Sequence, residues 1–144
     1  MTTRFLYKDS NLYDKTKEQV IIRIVEEVSK HLTLPDEVEV EMLNLGPSSY
    51  GQTVIDSKFR KRIRVNATLN LREIIFPVVH ELAHLHQIHE GKLMARRDGS
   101  IIWEGTLYNL KDPENMSYKE YRNLPWEQDA DHKQKYLLRE ILGR

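Results

Sequence analysis

The stretch Val79-His80-Glu81-Leu82-Ala83-His84 decides how the rest of the chain is interpreted. Successive helical residues are about 100° apart, so two histidines four positions apart project from one face, about 6 Å apart along the axis. Two imidazoles in that arrangement can bind one cation. Glu81 lies about 100° round from His80, close enough to contact a water molecule on that cation without binding the cation itself. A general base beside a Lewis acid has this arrangement.

The residues around this motif predict a helix that begins at about Arg72 and has two different faces. Counted from His80, one set of apolar side chains falls between roughly 140° and 220° round the helix axis. His84 and Gln87 stay near His80 instead. The core-facing side is therefore opposite the histidine side, and its residues are Ile75, Val78, Leu82 and Leu85.

A catalytic zinc site needs a third protein ligand, and the best candidate lies downstream in Leu124-Pro-Trp-Glu-Gln-Asp-Ala-Asp131. Pro125 suits the first turn of a final helix that runs to about Leu142. Glu127 and Asp131 are four residues apart and share a face of that helix. Glu127 can therefore bind a metal while Asp131 accepts the outer N–H of a ligating histidine. The alternative for Glu127 is an acidic residue that the helix dipole favours in a first turn.

Three further histidines are poor ligand candidates by the same geometry. His86 and His89 lie roughly 240° and 180° round from His80, on the apolar side, so we expect them in the core or at an interface. His132 is about 140° away from the face of Glu127. Pro77 removes one backbone N–H, which leaves two alternatives: the helix kinks there or begins close by.

The other segments predict an α+β fold. Apolar residues recur at three- and four-residue spacing from Asp14 to Leu32, which indicates an amphipathic helix. Residues 37–42, 50–57 and 60–67 have the alternation or β-branched content of strands, so we expect them to form a mainly antiparallel sheet. Residues 100–108 predict a hairpin that turns at Gly105. Ser117 and Glu120 have the spacing of a capping box before a short helix.

Composition limits the functions that are possible. The chain has 144 residues, enough for one domain, and we expect residues 1–144 to form it. The absence of cysteine excludes disulfides and thiolate metal sites, so a metal must be bound by His, Asp or Glu. The 22 Lys and Arg residues balance 22 Asp and Glu residues, which argues against attraction of the whole molecule to nucleic acid or membrane. Without an apolar run of signal-peptide or membrane-spanning length, a cytoplasmic protein is expected.

The motif H-E-x-x-H at residues 80–84, followed by E-x-x-x-D at residues 127–131, resembles the pattern of the gluzincin zinc metallopeptidases. It is similar in particular to the compact zincin-like peptidases of bacteria and their phages. The resemblance covers roughly residues 72–131 and implies a single zincin-like domain. It also implies a sheet edge that pairs with an extended substrate, for which the strand through Ile63 and Val65 is the candidate.

The resemblance also implies a role for individual residues. The implied zinc ligands are His80, His84 and Glu127, the implied general base is Glu81, and the implied partner of His80 is Asp131. No residue obviously matches the donor that stabilises the oxyanion in larger gluzincins. Tyr121 is the nearest candidate, with Tyr108 behind it.

The expected function is zinc-dependent hydrolysis of peptide bonds by metal-activated water, with Glu81 as the general base and a peptide or protein as substrate. The alternative is a catalytically silent, metal-bearing binding or regulatory module. Such a module would engage an acidic or nucleic-acid partner through the basic segment Lys58–Arg64. That segment also has a simpler interpretation as a solvated strand face that protects an edge from aggregation. With no aromatic residue beyond Phe59, it is a weak nucleic-acid signal.

Overall fold

The computed structural model describes residues 1–55, 60–110 and 115–143. Within these ranges the fold is α+β, with a four-stranded mixed sheet, a separate three-stranded antiparallel sheet and four α-helices. None of the described helices is long and apolar enough to cross a membrane. In chain order the elements are β1 (Thr2–Tyr7), a 3₁₀ turn (Ser10–Leu12), α1 (Lys15–Ser29), β2 (Glu37–Leu43), β3 (Gly51–Ile55), β4 (Lys61–Asn66), α2 (Ile75–His89), β5 (Leu93–Ala95), β6 (Ile101–Trp103), β7 (Thr106–Tyr108), α3 (Tyr118–Arg122) and α4 (Pro125–Leu142).

The larger sheet has the strand order β1-β2-β4-β3. β1 pairs with β2 in parallel and β2 pairs with β4 in parallel, whereas β3 and β4 are antiparallel. The prediction of a mainly antiparallel sheet is therefore wrong for this sheet, and β1 was not predicted. The reason is that alternation identifies a half-buried strand but carries no information about its neighbours. Here α1 connects β1 to β2 as a crossover, and a crossover makes the two strands parallel.

The strand through Ile63 and Val65 is β4, which lies between β2 and β3 and is paired on both sides. It has no free edge, so the prediction that it pairs with an extended substrate is wrong. Full burial of both side chains shows that one face of β4 lies against the core, but it does not decide which strand is outermost. The free edges of this sheet belong to β1 and β3.

The core lies between one face of the larger sheet and the helices α1 and α2. The helix predicted from Asp14 onward is confirmed, and the Asp14 side chain accepts hydrogen bonds from the backbone N–H groups of Thr16 and Lys17. This cap satisfies two of the donors that a helix start leaves free. Core side chains that are completely buried include Ile21, Val25, Val28, Val38, Val40, Ile63, Val65, Val78, Leu82 and Leu137.

The central helix α2 begins at Ile75, so Pro77 is the third residue of its first turn. N–H groups in a first turn have no intrahelical acceptor, and the missing N–H of Pro77 therefore costs no helical hydrogen bond. Of the two alternatives for Pro77, the nearby helix start is the observed one. The predicted apolar face is also confirmed, because Val78, Leu82 and Leu85 are buried in the core.

The smaller sheet and the final helices follow local signals in the sequence. The hairpin β6–β7 is confirmed, with positive φ at Glu104 and Gly105, as a two-residue type I′ turn requires. β5, which pairs with β6, was not predicted. The capping box between Ser117 and Glu120 is present at the start of α3, and α4 begins at Pro125 as predicted.

Candidate metal centre

Two helices bring together three side chains of the types that can bind a metal ion. α2 contributes His80 and His84, and α4 contributes Glu127. Their donor atoms all lie within 4.8 Å of one another. One carboxylate oxygen of Glu127 is 3.1 Å from Nε2 of His80, and the other is 2.9 Å from Nε2 of His84. Among the described residues, this is a group of two nitrogens and a carboxylate that can hold a metal ion.

The position of Glu127 follows from the packing of α4 on α2. On the same helix, Trp126 and Ala130 are 4% and 0% exposed. Their burial shows that this side of the first two turns of α4 faces the protein interior. Glu127, at 4% exposure, is buried with them. An ionised carboxylate in such a place needs a charged or hydrogen-bonding partner, and the two imidazoles provide it.

The outer nitrogen of His80 faces two side chains of α4. Nδ1 of His80 lies 2.8 Å from the side-chain oxygen of Gln134 and 3.5 Å from a carboxylate oxygen of Asp131. The other Asp131 oxygen is 2.7 Å from the guanidinium of Arg122. Asp131 therefore lies beside the outer nitrogen of His80, but the shorter contact with that nitrogen is made by Gln134. Gln134 was not predicted, although it is two helical turns beyond Glu127 and therefore on the same face.

The outer nitrogen of His84 faces Gln87, on the same helix. Nδ1 of His84 is 2.9 Å from the side-chain oxygen of Gln87, which is completely buried. The helix phase placed Gln87 beside the two histidines, but its role as a partner of His84 was not predicted. Since both outer nitrogens face side-chain oxygens, both Nε2 atoms are directed toward Glu127.

Charge within this group favours a cation at its centre. Burial alone would lower the pKa of His84, but its hydrogen bond with Glu127 and the nearby carboxylates outweigh burial and raise that pKa to about 9. The pKa of His80 is raised in the same way, against the effect of burial, by its hydrogen bond with Glu127. Burial would raise the pKa of Glu127, but the two imidazoles lower it to about 2. Without a metal, a proton on His84 therefore balances the carboxylate of Glu127 at neutral pH.

Glu81 lies beside this group and faces the edge strand β3. Its carboxylate accepts a hydrogen bond from the Thr53 hydroxyl at 2.7 Å, and burial raises the pKa of Glu81. A side chain at Gly51 would place its Cβ 3.1 Å from Cγ of Glu81 and 3.1 Å from the carbonyl oxygen of Arg64. The close approach of β3 to Glu81 therefore requires glycine at position 51. Neither Thr53 nor Gly51 was predicted as a site residue, because their proximity to Glu81 arises from sheet packing.

A cavity of about 400 Å³ opens next to these residues. Its lining includes all of the edge strand β3, together with the polar side chains of Glu81, His84, Tyr121 and Glu127. The other lining residues are apolar: Ile88, Leu93, Ala95, Ile101 and Trp126.

The two tyrosines named from the sequence have different positions. Tyr121 lines the cavity, and its pKa is raised by burial and by the charges of Glu127 and Glu81. Tyr108 packs edge-on against Trp126, with ring centroids 5.4 Å apart. Tyr121 is thus placed where a hydroxyl can reach a bound molecule, and its role as an oxyanion donor stays a prediction.

The remaining histidines lie outside the group of three. His86 makes a contact of 2.8 Å from Nδ1 to the carbonyl oxygen of Thr33, which ties α2 to the loop before β2. His89 is exposed at the end of α2, and His132 is exposed on α4. His86 is buried, as predicted, whereas the prediction of a core position for His89 is wrong, because this residue is the last of α2 and is exposed.

The basic segment is described only in part, because Lys58 and Phe59 lie outside the described residues. Nε of Arg62 and Nε of Arg64 are 3.3 Å and 2.9 Å from one carboxylate oxygen of Glu41. Glu41 lies on β2, beside β4, and is 3% exposed. Two of the basic side chains therefore cover a buried carboxylate on the outer face of the sheet.

No protein-family model, curated protein or solved structure matches this chain.

Proposed function

We propose that this protein is a zinc-dependent metallopeptidase whose metal is bound by His80, His84 and Glu127. The observation that carries the proposal is the convergence of these three donors within 4.8 Å, next to the buried carboxylate of Glu81. A three-ligand site beside a general base is the arrangement that metal-assisted hydrolysis needs. The adjoining cavity provides space for a substrate.

The residues present fit zinc. Catalytic zinc sites have three protein ligands, often two histidines and a glutamate, and leave one position open. In both imidazoles the outer nitrogen faces an amide oxygen, so Nε2 is the nitrogen left for the metal. Two histidines and a carboxylate also suit ferrous iron. The adjacent carboxylate of Glu81 favours hydrolysis as the reaction at this site, because hydrolysis needs a proton acceptor there.

The chemistry then follows from the positions of the side chains. When bound, zinc supplies a Lewis acid that polarises a carbonyl group and lowers the pKa of water to about 7. Glu81 accepts the proton of the attacking water and returns it to the leaving amine. Thr53 holds one carboxylate oxygen of Glu81, which leaves the other for the proton. Tyr121 donates its hydroxyl hydrogen to the developing oxyanion, and its raised pKa keeps that hydrogen in place.

The free edge of β3 supports a peptide as the substrate. An edge strand presents unpaired N–H and C=O groups, and an extended peptide can pair with them. β3 lines the cavity beside Glu81, so a paired peptide would lie near Glu81, His84 and Glu127. We assign to β3 the substrate-pairing role that the sequence wrongly placed on β4.

Metal content is the first test. Elemental analysis for zinc, iron and manganese on protein purified without added metal should give about one zinc per chain. Glu127→Ala and His84→Ala should lose the zinc. His89→Ala and Glu140→Ala change exposed residues of the same two helices and should retain it. Absence of zinc in the wild type after reconstitution would refute the metal site, and iron in its place would refute zinc as the metal.

Hydrolysis is the second test. The zinc-loaded protein should cleave members of a broad peptide library, and Glu81→Gln should keep its zinc while cleavage falls by about 100-fold or more. Glu140→Gln is the matched control and should cleave like the wild type. Zinc binding without cleavage of any peptide would favour the alternative, a metal-bearing binding module. Full activity of Glu81→Gln would refute the role of Glu81 as the base.

A further inference from the structure

We infer that Gln87 is a positioning residue of the proposed zinc site, because it sets which nitrogen of His84 faces the metal and holds α4 in place beside α2. The inference rests on the proposed function. It concerns a side chain that contacts one ligand directly and the neighbours of another, without reaching the metal itself.

The side-chain nitrogen of Gln87 has both of its hydrogens in use. It lies 2.9 Å from the carbonyl oxygen of Trp126 and 2.8 Å from a carboxylate oxygen of Asp129. Both partners are acceptors. The Asp129 oxygen is also 2.6 Å from the ammonium of Lys133, which keeps that carboxylate ionised. Since Gln87 is completely buried, no solvent competes for these hydrogen bonds.

These contacts fix the orientation of the amide. The reverse orientation would place the amide oxygen against two acceptor oxygens and leave buried groups without hydrogen bonds, which is strongly unfavourable. The oxygen of Gln87 must therefore face Nδ1 of His84, at 2.9 Å. An amide oxygen can only accept, so Nδ1 carries a hydrogen. In the neutral imidazole, Nε2 is then the nitrogen with the free lone pair, and it points at Glu127.

The same amide connects the two helices at the third ligand. Trp126 and Asp129 lie on either side of Glu127 in the chain, and both accept hydrogen bonds from Gln87. Gln87 therefore holds the first turn of α4 to the helix that carries His80 and His84. Loss of these bonds would leave Glu127 less firmly positioned and would no longer favour one tautomer of His84.

Two substitutions separate these contributions. Gln87→Leu removes the acceptor and both donors, and we expect the zinc Kd to rise by about 10–100-fold. Gln87→Glu retains an oxygen that accepts the Nδ1 hydrogen, so its zinc Kd should lie between those of the wild type and Gln87→Leu. However, Gln87→Glu buries a second carboxylate beside Asp129, which should make its metal-free fold the least stable of the three. The orders of zinc affinity and of metal-free stability are therefore expected to differ.

The experiment measures three properties of each full-length variant. They are zinc Kd by competition with a chromophoric chelator, the cobalt absorption spectrum as a probe of ligand geometry, and the thermal midpoint of the metal-free protein. Gln128→Leu, an exposed glutamine on α4, is the control and should match the wild type in all three. The cobalt spectrum should weaken most in Gln87→Leu.

Each outcome either supports or overturns the positioning role of Gln87. Affinity in the order wild type, Gln87→Glu, Gln87→Leu supports it, whereas affinities that follow the thermal midpoints would reduce Gln87 to a packing residue. A zinc Kd of Gln87→Leu equal to that of the wild type would overturn it. If Gln87→Leu does not fold, Asp129→Ala removes one acceptor at a partly exposed position and should weaken zinc binding several-fold; unchanged binding overturns the inference. Failure of the wild type to bind zinc refutes the proposed function itself, so the two failures are distinguishable.

Discussion

Competition between zinc and protons at His84 should make zinc affinity strongly dependent on pH. In the metal-free protein both imidazole nitrogens of His84 have acceptors, Gln87 at Nδ1 and Glu127 at Nε2. This arrangement suits the doubly protonated ring, and the pKa of His84 is accordingly raised to about 9. Zinc can bind Nε2 only after its proton has left.

The size of the effect follows from that pKa. With a pKa of about 9, roughly one His84 in a hundred is neutral at pH 7, so zinc affinity there should be about 100-fold below its limit, or about 2.7 kcal/mol. The Kd for zinc should fall about tenfold per pH unit from pH 7 to pH 9 and then level off. Deprotonation of His80, whose pKa is also raised, should steepen the slope.

Calorimetric titration in two buffers of different ionisation enthalpy gives the number of protons released for each zinc bound. We expect at least about one proton near pH 7.5, with Kd measured in parallel by chelator competition. His89→Ala, which changes an exposed residue of α2, should show the same slope. A zinc Kd that is constant between pH 7 and pH 9, with no proton release, would refute this account of the site.

The stability of the metal-free protein should change in the opposite direction over the same range. The raised pKa of His84 contributes stability that is complete below about pH 6.5 and is lost as pH rises through about 9. The lowered pKa of Glu127 contributes stability that is present above about pH 4.5 and is lost as pH falls through about 2. The two groups therefore stabilise the metal-free fold most between about pH 4.5 and 6.5.

Three further predictions concern the edge strand, the core and a helix cap. Gly51→Ala should retain zinc but lose most peptide cleavage, because its Cβ would lie 3.1 Å from Cγ of Glu81; cleavage at the wild-type rate would contradict this. Leu82→Ala should lower the free energy of unfolding by about 2–5 kcal/mol, measured by urea titration, because this side chain is completely buried. Asp14→Ala should cost about 1 kcal/mol in the same assay through loss of the α1 cap, whereas Asp36→Ala, outside any helix, serves as the control.

Local signals in the sequence were sufficient for the helices and for one hairpin. The apolar face of α2, the start of α4 at Pro125 and the capping box at Ser117 each depend on residues within one or two turns of each other. The turn at Gly105 likewise depends on its own backbone conformation. Such features were predicted correctly because no distant contact is needed to specify them.

The directions and neighbours of the strands could not be obtained in the same way. In the chain, β3 lies between β2 and β4. In the sheet, β2 and β4 are direct neighbours and β3 lies at the edge, beyond β4. This order depends on where α1 and α2 pack, since the helices cover one face of the sheet and fix which strands lie beneath them. The wrong choice of β4 as the substrate-pairing edge has the same origin. The strand itself was predicted, but its two neighbours in the sheet were not.

Within the site, periodicity placed His80, His84 and Glu81 correctly relative to one another, since all three belong to one helix. Glu127 was predicted from motif spacing, and it lies within hydrogen-bonding distance of both imidazoles. The supporting side chains could not be assigned from spacing. Gln87 contacts α4 and Thr53 contacts Glu81 only because separate elements pack together.

The charged groups of the site join two helices at a high cost in desolvation free energy. This cost argues for a role other than stability. Glu127 and Glu81 are 4% and 7% exposed, and His84 is 6% exposed. Taking such groups out of water costs several kcal/mol per ion, and well-packed apolar residues in place of a buried ion pair are often as stable or more so. α2 and α4 already have apolar contacts, including those of Leu137, that can join them. A purely structural role would therefore not require two imidazoles and two carboxylates here, whereas the proposed hydrolysis would use all four groups, three as metal ligands and Glu81 as the base.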